Sequence, residues 1–318
     1  MNTHPTFGAE DQSVQHNPDR KLGLKGKLDS HRAWLEGKAG SIRGDFTGWT
    51  FNEKKLPGAN LTRAILHATT WLDADLSAAD LTGAELQGAD LRQAMLADAD
   101  LTGADLTEAQ CERAWLKAAN LSEARLTGTC FSKAMLDDAK LFDASLYECD
   151  FSGASLRGAS LHQSKAFRCL FSEAVLERAI FYHARLQFCR FVSALLAEAN
   201  FNAARVQDCD FMYAEMTGAK FSRADLSRSA FLKSGLRETD FRGAVARSTD
   251  FSQSDLTGAR FGEAMLFCAD FRGANLKGAR ELTAEQLSQA RTNEFTILPN
   301  GGRGPYLKGS GAERPVLR

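Results

Sequence analysis

The chain has 318 residues, of which 39 are Lys or Arg and 40 are Asp or Glu, so its formal net charge is −1. This balance excludes a protein that binds nucleic acid through overall charge, and equally a uniformly acidic mimic of DNA. With 44% hydrophobic residues the chain can build a core, but it has no apolar run near the length of about 18 residues that a membrane span needs.

The N-terminal residues predict a tail followed by a short helical cap. Residues 1–25 are polar and lack the features of a signal peptide, so we expect a disordered segment of a cytoplasmic protein, with non-classical secretion left open. Residues 26–45 place Leu28, Trp34 and Leu35 at helical spacing. Because an open repeat array exposes apolar side chains at its ends, this helix is expected to cap the segment that follows.

A five-residue period dominates residues 46–280. Every fifth residue from Phe46 to Leu276 is apolar, and the residue two positions earlier is small, as in the pair Ala79 and Leu81. An α-helix turns by about 100° per residue, so residues five apart drift by roughly 140° and share no helical face. Residues two apart do share one face of an extended strand, and the other three must turn the chain. The pattern therefore predicts a polygonal β-coil.

Longer periods within the same region predict the number of sides. Phe recurs every ten residues from Phe171 to Phe271. Cysteine recurs every twenty, at Cys149, Cys169, Cys189 and Cys209. A period of ten requires an even number of sides and a period of twenty favours four, with Phe on two opposite walls. We therefore expect an all-β solenoid of about twelve coils, stacked at the strand spacing of ~4.8 Å.

Units such as Ala79-Asp80-Leu81-Thr82-Gly83 resemble the pentapeptide-repeat family. The resemblance extends over residues 46–280 and implies a right-handed, four-sided β-helix, in agreement with the number of sides. It also implies a bacterial protein. Since this family carries out many functions, the resemblance is specific for the fold and much less specific for the function.

The five-residue register ends after Ala279. Residues 281–298 predict a C-terminal cap with a short helix, in which Thr283 is the N-cap and Gln286 completes a capping box. A C-terminal helix that forms a dimer is the alternative interpretation. Residues 299–318 are rich in glycine and predict a flexible tail.

The residues that could act as nucleophiles or metal ligands do not occur in the sequence patterns that catalysis or metal binding requires. The 7 cysteines are odd in number and show no CxxC spacing, which is typical of reduced thiols. The cysteines that recur every twenty residues occupy the inward small position without His or carboxylate beside them, so we interpret them as small apolar filling rather than metal ligands. No nucleophile or metalloprotease motif is present. We expect a non-enzyme with no catalytic residue, cofactor or metal.

The outward positions supply the candidate interface. The residue before each apolar centre points outward, and in one column five of six successive coils carry an apolar residue there. This column consists of Met95, Trp115, Met135, Ser155, Val175 and Leu195. Two corner columns add the aromatic residues Phe142, His162 and Tyr182, and Tyr147 and Phe167. Contiguous exposed apolar residues commonly mark an interface, and neutral drift on a stable rod is the alternative explanation.

Three functional hypotheses follow. The first is a rigid scaffold that binds a protein partner, or itself as a homodimer, through its outer faces, without direct nucleic-acid binding or a membrane span. The second rests on resemblance to the quinolone-resistance members of the family, which are dimers that imitate DNA and bind DNA gyrase. Residues 46–110, with 4 basic and 10 acidic residues, fit that role, whereas the basic column Arg125, Lys165, Arg185 and Arg205 counts against it. A secretion-system accessory or effector is the third hypothesis, by analogy alone.

Overall fold

The computed structural model describes residues 23–316 and divides the chain into two compact units, Met1–Gly44 and Asp45–Arg318. Residues 1–22, which hold most of the predicted N-terminal tail, lie outside the described residues, as do residues 317–318.

The first unit contains helix α1 (Leu24–Leu35). The rings of His31 and Trp34 stack with their centroids 5.8 Å apart. The backbone N–H of Gly44 donates a hydrogen bond to Nδ1 of the buried His31 at 3.0 Å, which ties the end of this unit back to the helix. The helix is followed by Gly37, whose φ of 71° lies in the left-handed region that ends helices.

The second unit is a right-handed β-helix with four sides per coil. Residues twenty apart pair in parallel along the whole repeat region, as in the series Asp80, Asp100 and Asn120. Each coil therefore contains four units of five residues, and the predicted all-β solenoid with four sides is confirmed. Right-handed crossovers are the rule where parallel strands are connected within one sheet.

One face of the β-helix forms a continuous parallel sheet. Its four strands are β1 (Ser145–Tyr147), β2 (Lys165–Phe167), β3 (Arg185–Gln187) and β4 (Arg205–Gln207), in that order. In these coils the extended conformation runs on to the corner, so that residues at the corner pair in register. Outside these strands, neighbouring coils meet at single bridges.

The corners are tight turns whose second residue has a positive φ. Gly88 has a φ of 64°, and Glu108 adopts a φ of 60° at the equivalent corner of the next coil. A typical turn closes with a hydrogen bond from the N–H of Ala89 to the carbonyl of Leu86 at 3.0 Å. A residue with a Cβ atom is strained at positive φ, and glycine avoids this strain. This explains why glycine recurs at the second residue of these turns.

The interior is filled by the apolar centre residues, and every one of them except Leu56 is buried. Phe171 stacks on Phe191 one coil further along, with centroids 4.7 Å apart and an interplanar angle of 4°. It meets Phe181, ten residues along the chain, edge to face at 6.2 Å and 89°. Two ladders of Phe therefore face each other across the interior, as the ten-residue period predicts.

The C-terminal end of the repeats is covered by helix α2 (Ala284–Gln289) and the segment after it. Thr283 is the N-cap and forms a capping box with Gln286. The amide of Gln286 donates to the carbonyls of Phe261 and Ala264, both at 2.9 Å. Arg291 and Ile297 then pair with the last coil. Within the predicted flexible tail, the hydroxyl of Tyr306 donates to Glu313 at 3.0 Å.

Candidate interaction surfaces

The six residues predicted as an apolar column lie in one line on one face of the β-helix. Consecutive members pair across neighbouring coils from Met95 to Leu195. Trp115 is 52% exposed, and Met95 and Leu195 are each 40% exposed. At the strand spacing of ~4.8 Å the line is roughly 24 Å long. We call Met95, Trp115, Met135, Ser155, Val175 and Leu195 the apolar column.

Polar groups surround the apolar column. Asp75 and Glu215 continue its line at the two ends. Its single polar member, Ser155, accepts a hydrogen bond from Arg157 at 2.8 Å and donates one to Asp137 at 2.5 Å. An apolar centre with a polar rim is the usual anatomy of a protein interface.

A shallow groove runs beside the N-terminal half of the apolar column. It has a volume of about 330 Å³ and its lining includes Arg92, Glu112, Arg113 and Lys133. Nε and Nη2 of Arg92 donate hydrogen bonds to the carboxylate of Asp90 at 2.8 and 2.7 Å. These hydrogen bonds lower the pKa of Asp90. The groove therefore offers fixed charges of both signs next to the apolar residues.

The predicted aromatic residues stack at two corners. Phe142 and Tyr182 lie on either side of His162, with centroid distances of 5.5 and 5.2 Å. At the next corner Tyr147 stacks on Phe167 at 5.2 Å. The sheet of β1–β4 lies on the face opposite the apolar column, and the two aromatic columns lie along its two edges. The structure thus divides the predicted interface residues between two opposite faces.

The sheet face between these corners carries a line of cations. The outward residues of β1–β4 are Ser145, Lys165, Arg185 and Arg205. Lys165 forms an ion pair with Asp143 at 3.3 Å. Grooves of about 540 and about 330 Å³ lie on the two sides of this line. We call this surface, together with its aromatic corners, the sheet face.

Several exposed aromatic residues were not predicted. Phe188 is 46% exposed and meets the ring of Phe167 edge to face at 5.6 Å, so it extends the sheet face. Phe188 stands at the turn position with positive φ, where the sequence most often has Gly or a charged residue. Inspecting both corner positions of every coil would have found it. Tyr213 and Phe267 are also exposed, beyond the predicted columns.

The column of cysteines makes hydrogen bonds as well as filling space. The thiols of Cys169, Cys189 and Cys209 lie 3.4 to 3.6 Å from carbonyl oxygens 23 residues earlier. Further along the column, the hydroxyls of Ser229 and Thr249 donate to the equivalent carbonyls at 2.7 and 2.9 Å. The position thus holds small hydrogen-bond donors, a role that the sequence interpretation as apolar filling missed.

Within residues 23–316, no group of three His, Cys, Asp or Glu side chains is placed to hold a metal ion. All 7 cysteines are free thiols. None of the helices described is long and apolar enough to cross a membrane.

The sequence matches two family descriptions that together cover residues 45–280. "Pentapeptide repeats (8 copies)" matches residues 45–83, 74–109, 104–141, 134–172, 234–262 and 247–280. "Pentapeptide repeat region" matches residues 164–241. A search among curated proteins finds no match to the chain.

Solved structures with similarity to the chain are also proteins of this repeat type. HetL, a protein involved in heterocyst differentiation regulation from the cyanobacterium Nostoc sp. strain PCC 7120, is 25% identical. The match covers 89% of this chain and 99% of HetL, with a TM-score of 0.35. Full-length QnrB1, a plasmid-mediated fluoroquinolone resistance protein, is 21% identical over 79% of this chain and 95% of its own, with a TM-score of 0.23. Rfr23 from the cyanobacterium Cyanothece 51142 is 19% identical over 54% of this chain and 100% of its own, with a TM-score of 0.16.

Proposed function

Because this chain belongs to the pentapeptide repeat family, whose repeats form its entire β-helix, we propose that it is a non-enzymatic scaffold that binds a protein partner through the apolar column. The observation that carries the proposal is the continuity of this column. Its apolar members occupy five of six successive coils on one face, and the polar residues lie at its edges.

Trp115 is the expected anchor of the interaction. It is the most exposed member of the apolar column, and it lies between Met95 and Met135. Tryptophan is enriched among the residues that dominate binding energy, and methionine adapts to irregular partner surfaces. A partner that covers this region would bury all three side chains at once.

The backbone of Trp115 is held by two hydrogen bonds to the preceding coil. The N–H of Trp115 donates to the carbonyl of Ala94 at 2.9 Å, and its own carbonyl accepts from Leu96 at 2.8 Å. A surface that is ordered before binding loses little conformational entropy on association. This rigidity supports binding as the function of the outer face.

Affinity capture from the cells that produce the protein tests the proposal. Wild type, Trp115→Asp and Gln110→Asp are compared by quantitative mass spectrometry, with circular dichroism to verify folding. Gln110 is an exposed outward residue on the neighbouring face of the β-helix, so it is the matched control. We expect one protein to bind to wild type and to Gln110→Asp and to be lost with Trp115→Asp. Equal capture by all three proteins contradicts the proposal.

The acidic N-terminal region supports a second candidate function, a DNA mimic that binds a type II topoisomerase such as gyrase. Residues 46–110 carry a net charge of −6, from 4 basic and 10 acidic residues. A supercoiling assay separates the two functions, because a mimic must change gyrase activity at a modest molar excess. Unchanged supercoiling removes this candidate and leaves the scaffold.

A further inference from the structure

We propose that the sheet face binds the sheet face of a second copy of this chain, with the two β-helices antiparallel and a two-fold axis passing through the coil of Ser145. The proposal rests on the order of charges along this face and is independent of the apolar column. It gives the protein a homodimer interface that leaves the opposite face of each copy uncovered.

The charges on this face have opposite signs two and three coils away from Ser145, whereas the cations Arg125 and Lys165 lie one coil away on either side. The outward residues of successive coils are Glu85 and Asp105 on the N-terminal side, and Arg185 and Arg205 on the C-terminal side. Each acidic residue lies as many coils before Ser145 as one of these arginines lies after it. A two-fold axis at Ser145 therefore sets Asp105 opposite Arg185 of the second copy, and Glu85 opposite its Arg205. Symmetry forms each contact twice.

Neither arginine forms an ion pair among the described residues, although Asp225 is the next outward residue after Arg205 on the same face. Within residues 23–316, no carboxylate lies within ion-pair distance of the guanidinium group of Arg185 or Arg205. The other two cations of the face are already paired, Arg125 with Asp105 at 3.2 Å and Lys165 with Asp143 at 3.3 Å. The antiparallel arrangement brings Arg125 opposite Lys165, where these carboxylates offset the like charges. The proposed contact thus supplies partners for the two unpaired cations.

The position of the axis follows from the same residues. A shift that places the axis half a coil nearer the N-terminus would set Arg205 against Ile65 and leave Arg205 without a carboxylate, whereas the axis at Ser145 sets only Asp225, outside the paired residues, against Ile65. An axis through the coil of Lys165 would set Lys165 against itself. Ser145 is also the small, uncharged member of the column, so two copies can approach closely at that point.

Aromatic residues lie close to the proposed axis. Phe142 and Tyr147 flank Ser145 within its own coil and are 39% and 43% exposed. The axis places each of them opposite the same residue of the second copy, where aromatic pairs can stack. Aromatic and arginine side chains are the types enriched at the centres of protein interfaces.

The size of the face is sufficient for a specific, reversible dimer. The proposed contact covers the sheet face and the three coils before it, and these seven coils at ~4.8 Å with about five residues of width at ~3.3 Å give a patch of roughly 34 by 16 Å. The two copies together bury on the order of 1,100 Å², which is near the lower end for specific complexes. We therefore expect a dimer that dissociates on dilution and weakens with added salt, since its charge pairs are exposed to screening.

Chemical cross-linking locates the axis. Ser145→Cys and Ser155→Cys are compared in a Cys130→Ser, Cys268→Ser background, because these two native thiols are the half-exposed ones. Ser155 is the equivalent outward residue on the opposite face. A short bismaleimide should join two copies through position 145 and not through position 155, since packed sheets lie ~10 Å apart. Cross-linking through 155, or through neither position, overturns the proposal.

Charge reversal tests the pairing by sedimentation equilibrium of the full chain. Arg185→Glu should weaken the dimer by about tenfold or more, because it brings like charges together twice. Adding Asp105→Arg should restore dimerisation, since the exchanged charges then attract. Arg190→Glu, on the neighbouring face, is the control and should leave the dimer unchanged. A monomer at all concentrations, or a double variant no better than Arg185→Glu, contradicts the proposed contact.

Discussion

The thiol of Cys169 lies 3.4 Å from the carbonyl oxygen of Leu146, which is 23 residues earlier and one coil away. This contact joins two coils at the corner where the strands of the sheet face continue into the turn. The same relationship recurs along the column, so one type of side-chain hydrogen bond supplements the backbone bonds between coils. It explains why a donor side chain occupies a position that Ala fills elsewhere.

Two substitutions of Cys169 should distinguish the contribution of its hydrogen bond to stability from the contribution of its packing. Cys169→Ser keeps a donor of similar size, whereas Cys169→Ala removes it and should lower the free energy of unfolding by about 1 kcal/mol. Urea unfolding followed by circular dichroism measures both. If Cys169→Ala is at least as stable as Cys169→Ser, the hydrogen bond contributes nothing.

The native thiols should differ in reactivity according to their burial. Burial raises the pKa of the Cys111 and Cys149 thiols, which therefore remain protonated and inaccessible at neutral pH. Cys130 and Cys268 are half-exposed. A maleimide should label these two in the folded protein, and the others only after denaturation, as peptide mapping can show. Rapid labelling of Cys149 in the folded state would be incompatible with the buried column.

The Phe ladder should account for a large part of the stability of the C-terminal coils. Phe191 stacks on Phe171 and Phe211 at 4.7 and 4.6 Å, and it is fully buried. Phe191→Ala should therefore cost about 3–5 kcal/mol in the free energy of unfolding, measured by urea titration. Phe188→Ala, at an exposed ring, is the control and should cost far less. Similar losses of unfolding free energy in both variants would contradict the expected contribution of the Phe ladder to stability.

Turn strain provides a stabilising substitution. Ala118 has a φ of 56°, in the left-handed region where a Cβ atom is unfavourable. Ala118→Gly should relieve about 1 kcal/mol of strain and raise the melting temperature. Ala119→Gly, at the neighbouring buried position, should lower it. A lower melting temperature for Ala118→Gly would show that the turn is not strained.

The stability of the protein should fall in acid for a specific reason. The side-chain hydrogen bonds from Arg228, both 2.7 Å long, lower the pKa of Asp208. A carboxyl group with a lowered pKa in the folded state contributes stability that is present above its unfolded pKa of about 4 and is lost as the pH falls through the lowered value. Asp208→Asn should flatten the pH dependence of the unfolding free energy below pH ~4. An identical pH dependence in both proteins would contradict this assignment.

Much of the architecture could be predicted because the spacing of the apolar residues in the sequence sets the geometry of the coil. The five-residue period gives the sides, and the twenty-residue recurrence of Cys149 and its equivalents gives the coil. The register also placed Met95 and Trp115 on one line. The regular sheet of β1–β4 was not predicted, because it depends on corner conformations that the five-residue pattern does not distinguish. Phe188 was missed for the same reason.

The sequence alone also could not show which charged side chains lack an ion-pair partner. The sequence places Arg185 and Arg205 in one column, but the set of cations with a carboxylate partner depends on side-chain geometry. Lys165 reaches Asp143 across the corner of the adjacent coil, at 3.3 Å, whereas the sequence offers several other acidic residues at similar spacing. The structure adds that the charged residues on either side of Ser145 share one face, on which β1–β4 form a four-stranded sheet.

The most direct test of the central claim, that one outer face of the β-helix is a protein-binding surface, is a photo-cross-linking scan around a single coil. A photoreactive amino acid is placed in turn at Gln110, Trp115, Asn120 and Arg125, the four outward positions of that coil, in the cells that produce the protein. We predict an adduct of one defined mass at position 115, absent at 110 and 120, and lost when Met95→Asp is added. Adducts of equal yield at all four positions, or none at 115, would contradict the claim.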